Sequence, residues 1–347
     1  MLAEDWVAMR GWAERPSYKI PAAEAHLLLR PYLSLKGVCY GFIIIVFCHR
    51  ERLELGFIYA LVALALFLSY SILNIADLST DGCFTLGCAV GAQVAIMGHP
   101  ILALFAAMAA GVCSGYIMAF LQTKLGVESI LAGIIVNTGL YTVNLAAMGF
   151  SSNLSLFKCD TIYSLTKGVL GTTWYKLIVS ALIVVVVCIL LKWFLGTRLG
   201  LSIRATGDNE DMIRASSINP GFTITVGLCI SGAMTALSGC LIGQYQKSCD
   251  INLGTGMVTI ALASLVIGET LIGKRTVYHR MGGAVFGSCL YRFAIAIALR
   301  LHIPAECLKL VSAIIVAIAI ASPYIKRQIA FQKKKRAAIA AEKGGRA

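Results

Sequence analysis

Apolar runs recur along most of the chain, separated by short polar stretches. They lie near 53–73, 83–97, 101–121, 130–148 and 174–195, then near 222–242, 257–272, 281–299 and 308–325. Most approach the about 20 residues that a helix needs to cross hydrocarbon. The runs at 83–97 and 257–272 are short, and each predicts a partial or broken crossing. The expected architecture is all-α: a polytopic transmembrane helical bundle of about eight to ten segments, at least one of them broken or partial. Residues 1–52 behave differently, being mixed in polarity and punctuated by proline. Their one apolar run, GVCYGFIIIVFC, falls short of the about 17-residue lower limit for a span and lacks a small-residue cleavage site. The pattern therefore divides the chain into an N-terminal extension (1–52), a transmembrane domain (53–325) with a polar loop at 196–221, and a basic tail (326–347).

Composition agrees with the pattern. Hydrophobic residues make up 58% of the 347 and charged residues 14%, with a mean hydropathy of +0.81, far from a soluble domain. The formal charge of +13 does not point to nucleic acid, because lysines and arginines sit at segment ends and in the tail KRQIAFQKKKR. That is where the positive-inside rule expects them. It places the tail, the loop 274–280, the 196–221 loop with Arg198, Arg204 and Arg214, and Lys124 on the cytoplasmic side. Nine full crossings then put Leu53 outside, in conflict with Arg50 and Arg52, so the parity stays open. The twelve cysteines are scattered singly without a C-x-x-C, which indicates neither a disulfide framework nor a zinc site.

Glycines stand four apart at Gly87 and Gly91, Gly111 and Gly115, Gly239 and Gly243, and Gly283 and Gly287. Such pairs let helix backbones approach closely, within one bundle or across a dimer seam. NIADLSTDG, residues 74–82, joins the first two main segments. On a helix Asp77 and Asp81 share a face. Carboxylates at membrane depth are costly and turn toward a cavity or a partner; the other reading is an interfacial loop whose acids stay in water and cap the next helix. Asn137, Tyr141 and Asn144 form a polar stripe on an otherwise apolar helix, and Glu269 is a further acid in an apolar run. With Asn74 and Gly82 these are the translocation-path candidates; Asp77, Asp81 and Glu269 are equally what an ion-coupled secondary transporter would need.

Catalysis finds little support. GETLIGKRT, residues 268–276, nearly spells a phosphate loop, but Arg275 stands where a metal-binding hydroxyl is required and a membrane helix precedes it. The five histidines form no metal-binding spacing, and no serine sits in a G-x-S-x-G elbow. The chain is expected to be no enzyme and to hold no cofactor.

One polar island remains, RATGDNEDMIRASSINPG, residues 204–221. Asp208 or Asn209 is a natural N-cap, Glu210 and Asp211 put negative charge in the first turn, and Glu210 stands four before Arg214. Asn219-Pro220-Gly221 stops the helix, which is expected to run about three turns. So short a helix must pack on something, either its own bundle or a groove in a cytoplasmic partner.

The island, followed by SGAMTALSG and the short run GMVTIALASLVIG, resembles permease subunits of ATP-binding-cassette (ABC) importers of the branched-chain amino acid type. In that family a loop of the form R-A-x-G-x-N-x-x-M-x-R-A-x-x-I-N is the coupling helix, which docks in a cleft of the ATP-hydrolysing subunit. Arg204, Ala205, Gly207, Asn209, Met212, Arg214, Ala215, Ile218 and Asn219 match it, with Asp208 at the cap. NIADLSTDGCFTLG resembles the family's early broken helix beside the translocation path, and its T-D-G-x-F-x-L-G form is most similar to a subgroup associated with tryptophan, tyrosine or other aromatic-compound uptake. Ser216 and Ser217 depart from the family's frequent leucine or glycine, and residues 1–52 have no counterpart. The resemblance implies a multi-pass protein of the bacterial plasma (inner) membrane that pairs with a second permease copy. It also implies a partner ATPase that binds ATP and Mg, an extracytoplasmic solute-binding protein, lipid around the bundle, and no nucleic acid.

Overall fold

The computed structural model describes residues 50–157, 159–170, 174–273 and 276–300, with a few isolated positions beyond. The N-terminal extension before residue 50, Lys274 and Arg275, the last apolar run and the basic tail lie outside the described residues, isolated positions apart.

The apolar runs become helices: α1 (Arg50–Leu66, continued by a π-helical segment, Phe67–Ile72), α2 (Thr80–Ile96), α3 (Pro100–Thr123) and α4 (Ser129–Ala147). A short strand β1 (Asn153–Ser155) and α5 (Ile162–Leu170) precede the long α6 (Tyr175–Gly196). Two short helices, α7 (Arg198–Asp208) and α8 (Glu210–Ala215), lead to α9 (Pro220–Gln246); β2 (Ser248–Asp250), α10 (Met257–Ile272) and α11 (Val277–Arg300) follow. Six helices among the described residues are long and apolar enough to cross a membrane, and α10 is a shorter apolar one. β1 and β2 pair antiparallel, Leu154 opposite Cys249.

α1 and α9 form the centre of the bundle, while α3, α4 and α6 face outward. Exposed Ile101, Phe105 and Ile117 on α3 and Leu182, Ile189 and Trp193 on α6 suit contact with lipid tails, where apolar surface costs nothing. All four glycine pairs lie inside the bundle: α2 meets α9, α9 meets α3, and α10 meets α11 along them. A methyl group on Gly111 would overlap the backbone of Gly232, so α3 and α9 touch main chain to main chain. Where side chains cannot add apolar driving force, serine hydroxyls add hydrogen bonds. Ser231 donates to the Ala65 carbonyl at 3.0 Å, Ser238 to Ile58 at 2.7 Å and Ser288 to Gly56 at 2.8 Å. Each such bond is worth about 0.6 kcal/mol in membrane. Ser69 also donates to the Ala65 carbonyl, which occupies that oxygen just before the helix widens to π geometry.

Contacts show which end of α1 lies beside the island. The Ile72 end of α1 lies against Gly207 of α7, on the side of the basic island. At the opposite end Glu54 accepts a hydrogen bond from Tyr245, at the far end of α9, at 2.8 Å. Leu53 therefore lies at the end of α1 opposite the island, despite Arg50 and Arg52.

Candidate functional site

Two places carry the polar residues, one within the bundle and one on its cytoplasmic side. Within the bundle, α10 starts level with the first turn of α2. Its N-cap residue, Gly256, has a left-handed backbone (φ +85°) and no side chain to accept from the first turn. Asp81 supplies the missing acceptor from α2: its carboxylate takes the N–H groups of Gly256 and Val258, each at 2.9 Å. The acid thereby satisfies donors that a helix leaves open and meets the positive end of its dipole. Thr85 accepts from the Gly254 amide at 3.1 Å, which ties the 251–256 loop to the same face of α2.

This junction walls a cavity of about 270 Å³, lined by Asp81, Gly82, Asn137, Tyr141 and Asn144 together with Thr85, Thr138, Asn252 and Thr255. Gly82 allows α4 to close on α2, since a methyl there would sit 2.7 Å from Asn137 Oδ1. Asn144 donates to the Gly82 carbonyl at 3.0 Å. Five of the sequence-selected residues thus share one space. The polar lining from 252–255 was missed, since hydroxyls and amides in a glycine-rich turn have no helical period to mark them.

The remaining path candidates lie elsewhere. Asp77 is not on a helix face with Asp81, because α2 begins only at Thr80. Asp77 instead accepts from the Ser79 amide at 2.8 Å and its hydroxyl at 2.6 Å, a closed turn ahead of the helix. Asn74 is exposed and left-handed (φ +58°), turning the chain out of α1. Glu269 pairs with Arg280 at 2.8 Å and accepts from Ser71 at 3.0 Å. Arg280 also bonds Ser71 and lies over the Phe67 ring at 5.6 Å. One ion pair thus joins α10, α11 and the π segment of α1. Arg280 had been read only as a loop charge.

On the cytoplasmic side, the expected helix starts at its expected Asn209 cap but is shorter than three turns, and a second helix precedes it. Arg204, Ala205, Gly207 and Asp208 belong to α7, and α8 spans only six residues. The break falls at Asn209, whose extended backbone (φ −160°) ends α7 and whose side chain accepts from the Met212 amide at 3.1 Å. Ser217, left-handed at φ +60°, ends the following turn, and Asn219 caps α9 by accepting from Gly221 at 2.9 Å. The Glu210–Arg214 pair forms as spaced, at 2.7 Å.

The two helices are held differently. α7 is anchored: Ile203 is buried, the Thr206 and Thr223 hydroxyls share a 2.8 Å hydrogen bond, and Gly207 packs on the Ile72 carbonyl. α8 keeps one buried residue, Ile213. Met212 is 64% exposed, and Glu210, Asp211, Arg214 and Ala215 are exposed with it. A cleft of about 640 Å³ separates Arg214 and Ile218 from Thr123 and Gly126 at the end of α3. No group of three or more metal-ligating side chains occurs among the described residues.

Comparison with known proteins agrees with this arrangement. Residues 51–320 match the family described as branched-chain amino acid transport system / permease component. The chain is 35% identical over 261 residues to a tyrosine transport system permease protein of Clostridioides difficile (strain R20291), covering 75% of this chain and 85% of that one. It is 32% identical over 282 residues to an uncharacterised protein of Rickettsia prowazekii, 80% of this chain and 97% of that one. It is 28% identical over 221 residues to the ribose import permease of Escherichia coli K12, 60% and 66% respectively. No solved structure matches. With six candidate spans and a match over most of its length, the chain belongs to the permease components of the branched-chain amino acid transport family, multi-pass inner-membrane subunits of ABC transport systems.

Proposed function

We propose that this permease forms the solute pathway of an importer driven by a separate ATPase, and that α8 is the element on which that ATPase docks. The observation that carries the reading is the contrast between the two cytoplasmic helices. α8 exposes Met212, Arg214 and Ala215 to a soluble partner, whereas α7 is pinned through Gly207 to the end of α1. A partner that pushes α8 therefore moves α7, and α7 bears on the π segment, where Ser71 contacts Glu269 of α10. The opposite end of α10 is the one capped by Asp81 beside the cavity. Closure of the ATPase around ATP and Mg would shift the permease between inward- and outward-open states by its differential contacts with them.

In this reading two copies of the chain enclose the pathway, and an extracytoplasmic binding protein delivers the solute. The solute is an aromatic amino acid such as tyrosine, on the strength of the relative with that name. Ion coupling is less well supported, since Asp77, Asp81 and Glu269 are each already hydrogen-bonded or ion-paired within the fold.

The test is uptake of radiolabelled tyrosine into proteoliposomes holding the permease and its partner ATPase, with the binding protein outside. Uptake should require ATP inside and survive collapse of proton and sodium gradients. Uptake that persists without ATP and stops with the gradients would overturn the reading.

A further inference from the structure

We infer that the cavity beside Asp81 is the seat for a primary ammonium group, so that the permeable solutes are amines carried on an aromatic or apolar skeleton. This rests on the reading of the chain as a solute pathway. Asn144 is 2% exposed and lines the cavity. Its amide nitrogen is committed to the Gly82 carbonyl at 3.0 Å, which fixes the side-chain orientation. Its oxygen, Oδ1, has no hydrogen-bond partner among the described residues. A buried acceptor without a donor is costly, and the deficit is removed by any ligand that brings an N–H to it.

Asp81 sets the charge of that ligand. Its two oxygens accept from the Gly256 and Val258 amides, with the Met257 amide also in reach; a carboxylate has about four acceptor positions, so capacity remains, and Asp81 lines the cavity. No lysine, arginine or histidine lines the space. The positive end of α10, which would otherwise favour an anion, is already taken by Asp81. An entering carboxylate or phosphate would find hydroxyl and amide donors in the lining but also the like charge of Asp81. An ammonium group brings three donors and the opposite charge, and its bonds to Asp81 and Asn144 Oδ1 would be charge-assisted. Tyr141, 52% exposed, lines the same space, and an aromatic ring there suits a cation or an aromatic skeleton.

The test uses the full-length permease in lipid nanodiscs and two probes on one skeleton: tyramine, with the amine alone, and 3-(4-hydroxyphenyl)propionate, with the carboxylate alone. Saturation-transfer NMR and calorimetry should show tyramine bound at least about tenfold more tightly than the acid. Asp81→Asn, which keeps an acceptor for α10, and Asn144→Leu should each weaken tyramine by about tenfold or more. The comparison of probes on the unmodified chain stands even if a variant fails to fold. Equal binding of the two probes, preference for the acid, no binding of tyramine at millimolar concentration, or undiminished binding in two well-folded variants each overturns the inference. Tyramine binding in a permease that shows no ATP-driven uptake would instead count against the importer reading. ATP-driven uptake of the des-amino acid at the rate of the amine would leave that reading intact and sink this one.

Discussion

Replacing Gly207 with alanine tests whether the contact between α7 and α1 carries the coupling. The added methyl carbon would overlap the Ile72 carbonyl oxygen and stand 2.9 Å from the carbonyl carbon and 3.0 Å from Leu73 Cα, where ordinary contact begins at 3.4 Å. α7 must therefore retreat by roughly an ångström, or the end of the π segment must give way. Overpacking of this kind costs about 1–3 kcal/mol, and alanine returns about 1 kcal/mol of helix propensity. Global stability should fall by at most about 2 kcal/mol, a thermal-midpoint loss of a few degrees for a chain of this size. Coupling should suffer more, because the displaced surface is a main-chain contact between α7 and the end of α1, through which motion of the docked helix would pass. A coupling energy of about 1–3 kcal/mol corresponds to 5–150-fold, so solute moved per ATP hydrolysed should drop by about an order of magnitude. The assay is paired ATPase and uptake measurement in proteoliposomes with the partner ATPase present. Wild-type stoichiometry in a variant of confirmed fold would refute the assignment of this contact; loss of both activities with loss of folding would show that the bundle, not the coupling, depends on it.

Arg214→Glu should leave the bundle folded, since both members of its ion pair are exposed, yet raise hydrolysis without transport; unchanged transport argues against docking at α8. Glu269→Gln should destabilise by about 3 kcal/mol by stranding Arg280 in a largely buried site, whereas Glu269→Leu combined with Arg280→Leu should recover most of that loss. Retained uptake in the double variant, read beside its thermal midpoint, would mark Glu269 as a structural partner; abolished uptake in a stable double variant would revive ion coupling. Gly239→Leu should fail to yield a monodisperse protein on size exclusion, because even a methyl there would overlap the Phe84 carbonyl of α2; a stable, well-behaved variant would contradict the close α2–α9 approach.

Helix existence was legible in the sequence because apolar content over a long window is a strong signal, and 257–272 was delimited to the residue. The island was legible in composition but not in length. The cap at Asn209 was legible from its residue type, but the helix that ends there, Arg198–Asp208, was not, and the turn at Ser217 that cuts the capped helix short carries no local signal. The same limit governed the acids. Asp77 and Asp81 have the right spacing for one face, but a hydroxyl two residues on drew Asp77 into a turn, while Asp81 found its partners in a loop far along the chain. Spacing reports neighbours on one element, and the cavity is made by elements that meet only in three dimensions. Asn137, Tyr141 and Asn144 were found because their polarity stood out against an apolar helix; Asn252 and Thr255 lie in a turn where polarity is ordinary.

The cross-chain cap on α10 also has a consequence for biogenesis. Asp81 is synthesised 175 residues before Gly256, the amide it receives. Until α2 is in place, a short helix with an open N-terminus would present unpaired amides to hydrocarbon, which membranes do not tolerate. α10 is therefore expected to wait at the translocon or the interface and to insert late, onto a template laid down by the first third of the protein. A chain from which α2 is deleted should leave α10 accessible to protease from outside the bilayer, however apolar its own sequence.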